Sequence, residues 1–392
     1  MKKLLQLPVF MVGVAIFSML FGAANLFFPI KVGLTAGQHL TPAMLGFLLT
    51  AVFLPLLGMI AIMLFDGNYQ LYFGRLGRGW GSLLIFLCIL IIGPIIAIPR
   101  LVMLSYQMLQ PLGLNMNFVV FSLIFLGIAM VCSFKQDWIV PLLGYFFGPL
   151  ILILLGVVLV KGLLLPHALN TMVVATGRVF VTNVKYGFST LDLLATIFFG
   201  SLVLAMLKQD VKYAARQDIP HFALACMLAG LIGAGLMAVA YGVLMYFGSL
   251  YVVQLAHIPD ELLFTSLATQ IIGRQNWLII GGGVLAACVS TAIALIVVVA
   301  RYIHEDLCNL RLGFVPSVFL VGVLSFFACY CGVQYIARVT YGPVAMILYP
   351  VVIMLTFCNF GYKVGGLRSV RTPVFFTFIA AVFFCVYYMF LR

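Results

Sequence analysis

Apolar stretches long enough to cross a lipid bilayer recur along almost all of this 392-residue chain. One crossing by a helix needs roughly 20 apolar residues. About eleven such segments occur, near residues 8–31, 41–65, 82–107, 117–133, 139–165, 189–207, 222–248, 278–302, 314–331, 336–359 and 372–391. Only 8% of the residues are charged, against roughly 25% in soluble domains. The pattern predicts an all-α polytopic membrane protein, with residues 1–392 forming a single transmembrane domain.

The basic residues predict the orientation of the chain. With the amino terminus inside, 13 Lys and Arg fall on the cytoplasmic side and seven outside, and Arg100 lies within the third segment, which accounts for all 21. An excess of Lys and Arg in cytoplasmic loops is the usual bias of membrane proteins. The formal charge of +12 is therefore explained by topology, and we expect no nucleic-acid partner.

Two connections are long, residues 166–188 and 249–277, and both are expected outside. The second contains Asp260-Glu261-Leu262-Leu263-Phe264, a mixed polar and apolar stretch. This stretch fits either a short interfacial helix or a solvated connector.

The first apolar segment contains an interruption, Phe21-Gly22-Ala23-Ala24-Asn25, near its middle. Irregular backbone survives at membrane depth where it lines a cavity or is buried in protein, and Asn25 can offer a side-chain carbonyl to a cation. Small residues also mark plain helix contacts, so packing is the alternative explanation.

The sixth segment has a similar feature at Gly200-Ser201. If residues 8–165 and 189–359 form inverted repeats, with 372–391 as an extra helix, the first and sixth segments correspond. Paired interruptions in corresponding helices indicate a transporter site, where half-helix amino termini face an anionic group and unwound carbonyls coordinate a cation. Gly200 alone is weak evidence, because glycine also permits close packing.

Polar groups in three other places are candidates for function. Ser290 and Thr291 in the eighth segment are able to complete an oxygen cage for sodium, although such hydroxyls often bond their own preceding carbonyls. Arg100 and Asp192 are intramembrane charges, which are functional candidates by default, and they form a hypothetical outer gate. For Asp192 the alternative is an acidic residue in the first turn of a helix.

The sequence contains no residue pattern typical of a catalytic site. The five histidines map to segment ends and loops without HExxH spacing, and the nine Asp and Glu are dispersed rather than clustered as acid–base chemistry requires. We therefore expect a protein that is not an enzyme and uses no organic cofactor. The competing classes are a membrane-embedded enzyme, such as an acyl or lipid transferase, and a structural membrane subunit.

Four stretches of the chain resemble the bacterial branched-chain amino-acid carrier family, and the likeness covers most of the chain. They are Phe17-Ser18-Met19-Leu20-Phe21-Gly22-Ala23-Ala24-Asn25-Leu26-Phe27-Phe28-Pro29, Gly93-Pro94-Ile95-Ile96-Ala97-Ile98-Pro99-Arg100, Thr190-Leu191-Asp192 with Phe199-Gly200, and Ser290-Thr291-Ala292. The resemblance implies sodium-coupled import of leucine, isoleucine and valine across the bacterial inner membrane. It also implies the leucine-transporter fold, a 5+5 inverted repeat in which helices one and six are broken.

Carried over by position, the resemblance implies two sets of residues. Substrate would bind at Phe21, Gly22, Ala23, Ala24, Asn25, Phe199, Gly200 and Ser201. Apart from the resemblance, Phe17 and Phe198 lie close enough in sequence to the breaks to line an apolar pocket. Sodium, as the coupling ion, would bind at Ser18, Phe21, Ala287, Ser290 and Thr291. The other expected partner is membrane lipid.

The sequence departs from the family pattern at two positions. Ala24 stands where members usually carry Gly, and Ile30 replaces the second Pro of a usual Pro-Pro. Ala24 is the position on which the substrate assignment depends most. Within the transporter class the alternatives are a carrier for another small neutral amino acid and a proton-coupled carrier.

Overall fold

The computed structural model describes residues 8–165, 179–209, 219–308, 310–330, 347–367 and 369–390. Within these ranges every regular element is helical, which confirms the predicted all-α class. By length and composition, five helices among the described residues are able to cross a membrane, and counting each of two bent helix pairs as one span raises the number to seven.

The helices are numbered here in chain order. They are α1 Pro8–Leu20, α2 Ala23–Ala36, α3 Leu40–Met63, α4 Tyr69–Gly74, α5 Arg78–Leu112, α6 Phe118–Ser133, α7 Ile139–Leu164, α8 Val179–Phe188, α9 Asp192–Gln209, α10 Ile219–Leu250, α11 Val252–Leu255, α12 Leu263–Ile272, α13 Trp277–Tyr302, α14 Phe314–Tyr330, α15 Tyr349–Gly365 and α16 Arg371–Phe390. The predicted tenth segment, 336–359, is described only from residue 347.

The described chain forms two compact units. The first unit contains Met1–Phe53, Leu101–Thr190 and Leu231–Ala294, and the second contains Leu54–Arg100, Leu191–Gly230 and Leu295–Arg392. Each unit is described by itself below. The single transmembrane domain and the repeat boundaries remain predictions.

Close helix contacts in the first unit depend on glycine. A side-chain carbon at Gly144 of α7 would lie 2.6 Å from the carbonyl oxygen of Met11 in α1. One at Gly33 of α2 would lie 2.1 Å from the carbonyl oxygen of Met245 in α10. Small residues let helix backbones approach closely inside membranes, so these glycines set the spacing of α1 and α2 from their neighbours.

The interruption predicted in the first segment is present and is shorter than predicted. Helix α1 ends at Leu20, α2 begins at Ala23, and the two are bent by 77°. Only Phe21 and Gly22 lie outside both helices. Ala23, Ala24 and Asn25, predicted to be unwound, form the first turn of α2 because Gly22 alone supplies the extended backbone, at φ −95° and ψ −169°.

The sixth segment is also broken, as predicted, although not at Gly200. The break lies at residues 189–191, between α8 and α9. At its end Leu191 has φ 60°, a left-handed conformation that costs a leucine free energy. Helix α9 passes through Gly200 without interruption. A side-chain carbon there would lie 2.6 Å from Cγ2 of Ile62 in α3, so this glycine permits close packing.

The two long connections contain more helix than predicted. The first connection ends in α8, whose residues 179–188 are helical, while residues 166–178 lie outside the described part. In the second, a 3-10 turn at Asp260–Leu262 leads into α12. Leu263 and Phe264 are buried, and the Thr265 hydroxyl donates to the carbonyl of Met108 at 2.8 Å. Helix α12 is therefore packed against protein and is not a solvated connector, while its position at the membrane interface stays a prediction.

Candidate functional site

The break between α1 and α2 exposes helix ends of opposite polarity in the first unit. The N–H of Gly22 donates to the carbonyl of Leu20 at 2.9 Å, and the N–H of Asn25 donates to the carbonyl of Gly22 at 3.1 Å. Helix geometry leaves the N–H groups of Ala23 and Ala24 without an intrahelical acceptor. The start of a helix carries partial positive charge, so these two N–H groups are suited to a carboxylate.

Asn25 holds the two broken ends together. Its side-chain Nδ2 donates to the carbonyl of Leu20, the last residue of α1, at 2.6 Å, and the residue is buried. The amide therefore spans the two residues of the break. This bond limits how far α1 and α2 can separate at the break.

Oxygen atoms from α1 and α13 form a buried cluster beside the break. The Ser290 hydroxyl lies 2.8 Å from the carbonyl oxygen of Ser18 and 3.1 Å from that of Ala287. The Thr291 hydroxyl lies 3.1 Å from the carbonyl oxygen of Ala287 and 3.5 Å from that of Ser18. Both hydroxyls thus bond a preceding carbonyl of their own helix, which was the alternative to a role in ion binding. Both also contact the carbonyl oxygen of Ser18 in α1.

One oxygen near this cluster lacks a hydrogen-bond partner. The Ser18 hydroxyl is fully buried, and nothing in the described ranges accepts from it or donates to it. A buried polar atom without a partner is costly, on the order of 1–3 kcal/mol, and such atoms are rare in folded proteins. A bound cation is one way to satisfy it, since hard cations take oxygen ligands and the carboxyl end of α1 carries partial negative charge.

The structure brings the residues predicted for sodium into one neighbourhood of the first unit. Phe21 lies in the break, directly before Gly22, and a side-chain carbon at Gly22 would lie 3.2 Å from Oγ1 of Thr291 and 3.1 Å from Leu101. The Gly22 backbone is therefore in close contact with α13. The roles of these residues in binding remain predictions.

An aromatic wall lies next to the break. The ring of Phe21 stacks on Phe17 at 5.0 Å between centroids and on Tyr241 at 6.0 Å, and Tyr241 also contacts Phe47 edge-on at 5.3 Å. All four side chains are buried. Sequence reasoning missed Tyr241 and Phe47, because each lies within an apolar helix far along the chain from any interruption.

The other predicted substrate residues belong to α9 in the second unit. Phe199 is buried, as are Gly200 and Ser201. Phe198 packs on the rings of Tyr69 and Phe73, with centroids 5.4 and 6.0 Å away. Phe198 is thus held by the segment around α4, and substrate contact by Phe199, Gly200 and Ser201 remains a prediction.

Asp192 occupies the first position of α9 and is 5% exposed. Its carbonyl accepts from the Thr196 hydroxyl at 2.5 Å. An acidic side chain in the first turn is stabilised by the positive end of the helix dipole, which favours the helix-start interpretation. Arg100 lies half-buried in α5. The gate formed by Arg100 and Asp192 remains a prediction.

Comparison with known proteins links this architecture to transporters. A family model described as "Branched-chain amino acid transport protein" matches residues 6–389. The branched-chain amino acid permease BrnQ of Bacillus subtilis is 28% identical over 396 residues, covering 97% of this chain and 88% of the relative. A putative branched-chain amino acid carrier protein of Staphylococcus epidermidis is 27% identical over 366 residues, covering 87% and 79%.

Two solved structures share the fold. A nucleobase-cation-symport-1 family transporter, closed with bromovinylhydantoin bound, has a TM-score of 0.62 at 14% identity and covers 97% of this chain and 91% of its own. A substrate-bound, outward-open Na⁺-coupled sialic acid symporter has a TM-score of 0.61 at 10% identity, covering 97% and 89%. These likenesses confirm the predicted leucine-transporter-like fold. Since the family model spans nearly the whole sequence, the chain is a multi-pass membrane transporter, not an enzyme, and belongs to the branched-chain amino acid transport protein family.

Proposed function

We propose that this protein imports leucine, isoleucine and valine together with sodium, by alternating access, across the bacterial inner membrane. The amino terminus lies in the cytoplasm in this proposal. Family membership supports the substrate class, and the excess of basic residues on one side supports the orientation.

The oxygen cluster of Ser18, Ala287, Ser290 and Thr291 carries the proposal for sodium. It combines two carbonyls with two hydroxyls at distances of 2.8–3.5 Å, and the unpartnered Ser18 hydroxyl is close by in sequence. Backbone carbonyls at broken helices and nearby hydroxyls are the groups that hold sodium in transporters with discontinuous helices. None of these atoms carries a proton that titrates near neutral pH, which favours sodium over proton coupling.

The break supplies the substrate site in this proposal. The carboxylate of the amino acid accepts from the N–H groups of Ala23 and Ala24, and its apolar side chain packs beside Phe21 and Tyr241. An apolar pocket distinguishes side chains that differ by one methylene by only about 1–3 kcal/mol. We therefore expect leucine, isoleucine and valine to compete with one another.

Uptake into proteoliposomes tests the proposal. We expect an inward sodium gradient to drive accumulation of labelled leucine, and a potassium gradient of equal size to fail. Sodium should tighten leucine binding, and leucine should tighten sodium binding by the same factor, because coupling between two binding sites is reciprocal.

Two outcomes would contradict parts of the proposal. Equal leucine binding with and without sodium would rule out sodium coupling, and uptake abolished by a protonophore but indifferent to sodium would establish proton coupling. Competition by other amino acids tests the substrate class. If alanine or glycine displaces leucine better than valine does, the substrate is another small neutral amino acid.

We also propose that Arg100 and Asp192 form a charge pair that closes the outer side of the pathway. Arg100→Asp and Asp192→Arg are each expected to lower uptake at least tenfold, since each leaves two like charges at low dielectric. The double reversal should recover most of the loss, measured as initial uptake rate at equal protein abundance. A double variant no better than either single would show that the two side chains do not pair, leaving the helix-start role for Asp192.

A further inference from the structure

An apolar groove runs along the surface of the second unit. Its volume is about 820 Å³. The walls come from α5, the residues at the start of α15, and α16, and include Trp80, Leu84, Leu87, Leu348, Val351 and Phe375. Several of these side chains remain exposed, including Trp80 at 62% and Phe375 at 57%. The groove therefore presents a concave apolar surface to molecules that lie beside α5 and α16.

Arg371 is the one charged residue among the described residues that line this groove. Its Nε donates to the carbonyl of Arg75 at 3.2 Å, and one terminal nitrogen lies 3.6 Å from the position of a side-chain carbon on Gly77. In the described part of the chain no carboxylate lies within ion-pair distance of it. Its guanidinium is thus held by one hydrogen bond through Nε, and its terminal nitrogens can donate to an anion.

A second group at the same end also favours an anion. Arg371 and Thr372 are the first two residues of α16, a helix of 20 residues, and Thr372 lines the groove as well. The start of a helix carries partial positive charge and N–H groups without intrahelical partners. The charged end of the groove therefore has one complete positive charge and a helix amino terminus.

The length of the groove matches one leaflet of a membrane. Arg371 contacts the segment just before α5, and the wall of α5 runs from Trp80 to Ile91. Eleven residues of helix rise roughly 16 Å, close to half of a hydrocarbon core about 30 Å thick. Trp80 near the charged end fits the preference of tryptophan for the membrane interface. The charged end thus lies at headgroup depth and the apolar end near the bilayer centre.

We propose that this groove binds an anionic phospholipid. One acyl chain occupies the apolar groove, and the phosphate accepts hydrogen bonds from Arg371 and from the start of α16. A planar guanidinium suits two phosphate oxygens at once, and the apolar walls exclude free phosphate as the main occupant. The inference does not depend on which solute the protein carries.

Trp80 provides a reporter inside the groove. The chain has three tryptophans, and Trp138 and Trp277 are exposed at 67% and 49%, so Trp138→Phe with Trp277→Phe leaves Trp80 as the sole fluorophore without disturbing the core. The full chain is placed in nanodiscs of phosphatidylcholine. A small fraction of either brominated phosphatidylglycerol or brominated phosphatidylcholine is added, because bromine quenches tryptophan on contact.

Brominated phosphatidylglycerol should reach half-maximal quenching at roughly one-fifth the mole fraction that brominated phosphatidylcholine needs, as one interfacial cationic contact implies. Arg371→Gln should remove this preference, and Arg371→Lys should retain part of it. Arg311→Gln is the control, because it changes the net charge equally at an exposed arginine outside the groove. It should leave the lipid preference intact.

Equal quenching by the two brominated lipids in the Trp80 protein would overturn the proposal. So would a preference that Arg371→Gln and Arg311→Gln reduce alike, since that would come from general surface charge. Quenching of Trp80 by neither lipid, together with cross-linking of α16 between two copies, would assign the groove to a second copy of this chain.

Discussion

Gly33→Ala is expected to lower the melting temperature of the purified protein by about 1–4 °C and to reduce the yield of monodisperse protein. The new methyl group would lie 2.1 Å from the carbonyl oxygen of Met245 and 2.8 Å from the backbone nitrogen of Ser249. A carbon on Gly248 of α10 would in turn lie 2.5 Å from the carbonyl oxygen of Ile30. Because α2 and α10 touch through backbone atoms, no side-chain rotation makes room, and the helices must move apart.

The size of this effect follows from overpacking, which costs roughly 1–3 kcal/mol and sometimes more. An unfolding entropy of about 2.1 cal/mol/K per residue makes each kcal/mol worth roughly 1 °C in a chain of 392 residues. Gly127→Ala in α6 is the matched control, because no atom lies within 4 Å of the added carbon. There, alanine should stabilise the helix by roughly 0.5–1 kcal/mol. Thermal unfolding in one detergent compares the two, and equal melting temperatures would show that α2 and α10 do not pack this closely.

Ser290→Ala is expected to raise the sodium concentration for half-maximal leucine uptake by at least about tenfold. The variant removes a hydroxyl oxygen that lies 2.8 Å from the carbonyl of Ser18, and with it one of the proposed ligands. Loss of a hydrogen-bond-like contact to a charge costs on the order of 1.5–3 kcal/mol, or roughly 10- to 150-fold in affinity. At saturating sodium the leucine concentration for half-maximal uptake should change far less.

Ser122→Ala is the control for this substitution. Ser122 is also buried, and its hydroxyl donates to the carbonyl of Val119 at 2.8 Å within its own helix. Both variants lose one buried hydroxyl, so a general packing defect would affect them alike. The assignment of Ser290 to the ion fails if the two variants show the same sodium dependence in proteoliposomes.

The first break was predictable from sequence because a glycine occupies the residue that is extended. Gly22 lies in a run of small residues at the middle of an apolar segment, and the structure interrupts the helix there. The extent of the break was less predictable. Ala23 and Ala24 are good helix formers and start α2 at once, with the Asn25 amide bonding back to Leu20.

The second break was placed wrongly because the same signal has another cause. Gly200 packs against Ile62, whereas the chain leaves helical geometry at Leu191, a residue type that gives no warning of φ 60°. The proximity of Ser18 and Ser290 was predicted from a family resemblance instead, since 272 positions separate them and no periodicity relates them.

The oxygen cluster at Ser18, Ala287, Ser290 and Thr291 has an electrical consequence, because all of its donors are uncharged. In the proposed cycle, the loaded carrier holds one sodium ion and a zwitterionic amino acid and therefore carries one additional positive charge. The empty carrier has no charge at this site. A membrane potential of 100 mV is worth about 2.3 kcal/mol per elementary charge. In the proposed cycle, the inside-negative voltage across the membrane therefore drives the loaded step and does not act on the empty return through this site. Transport currents on supported membranes measure this asymmetry directly.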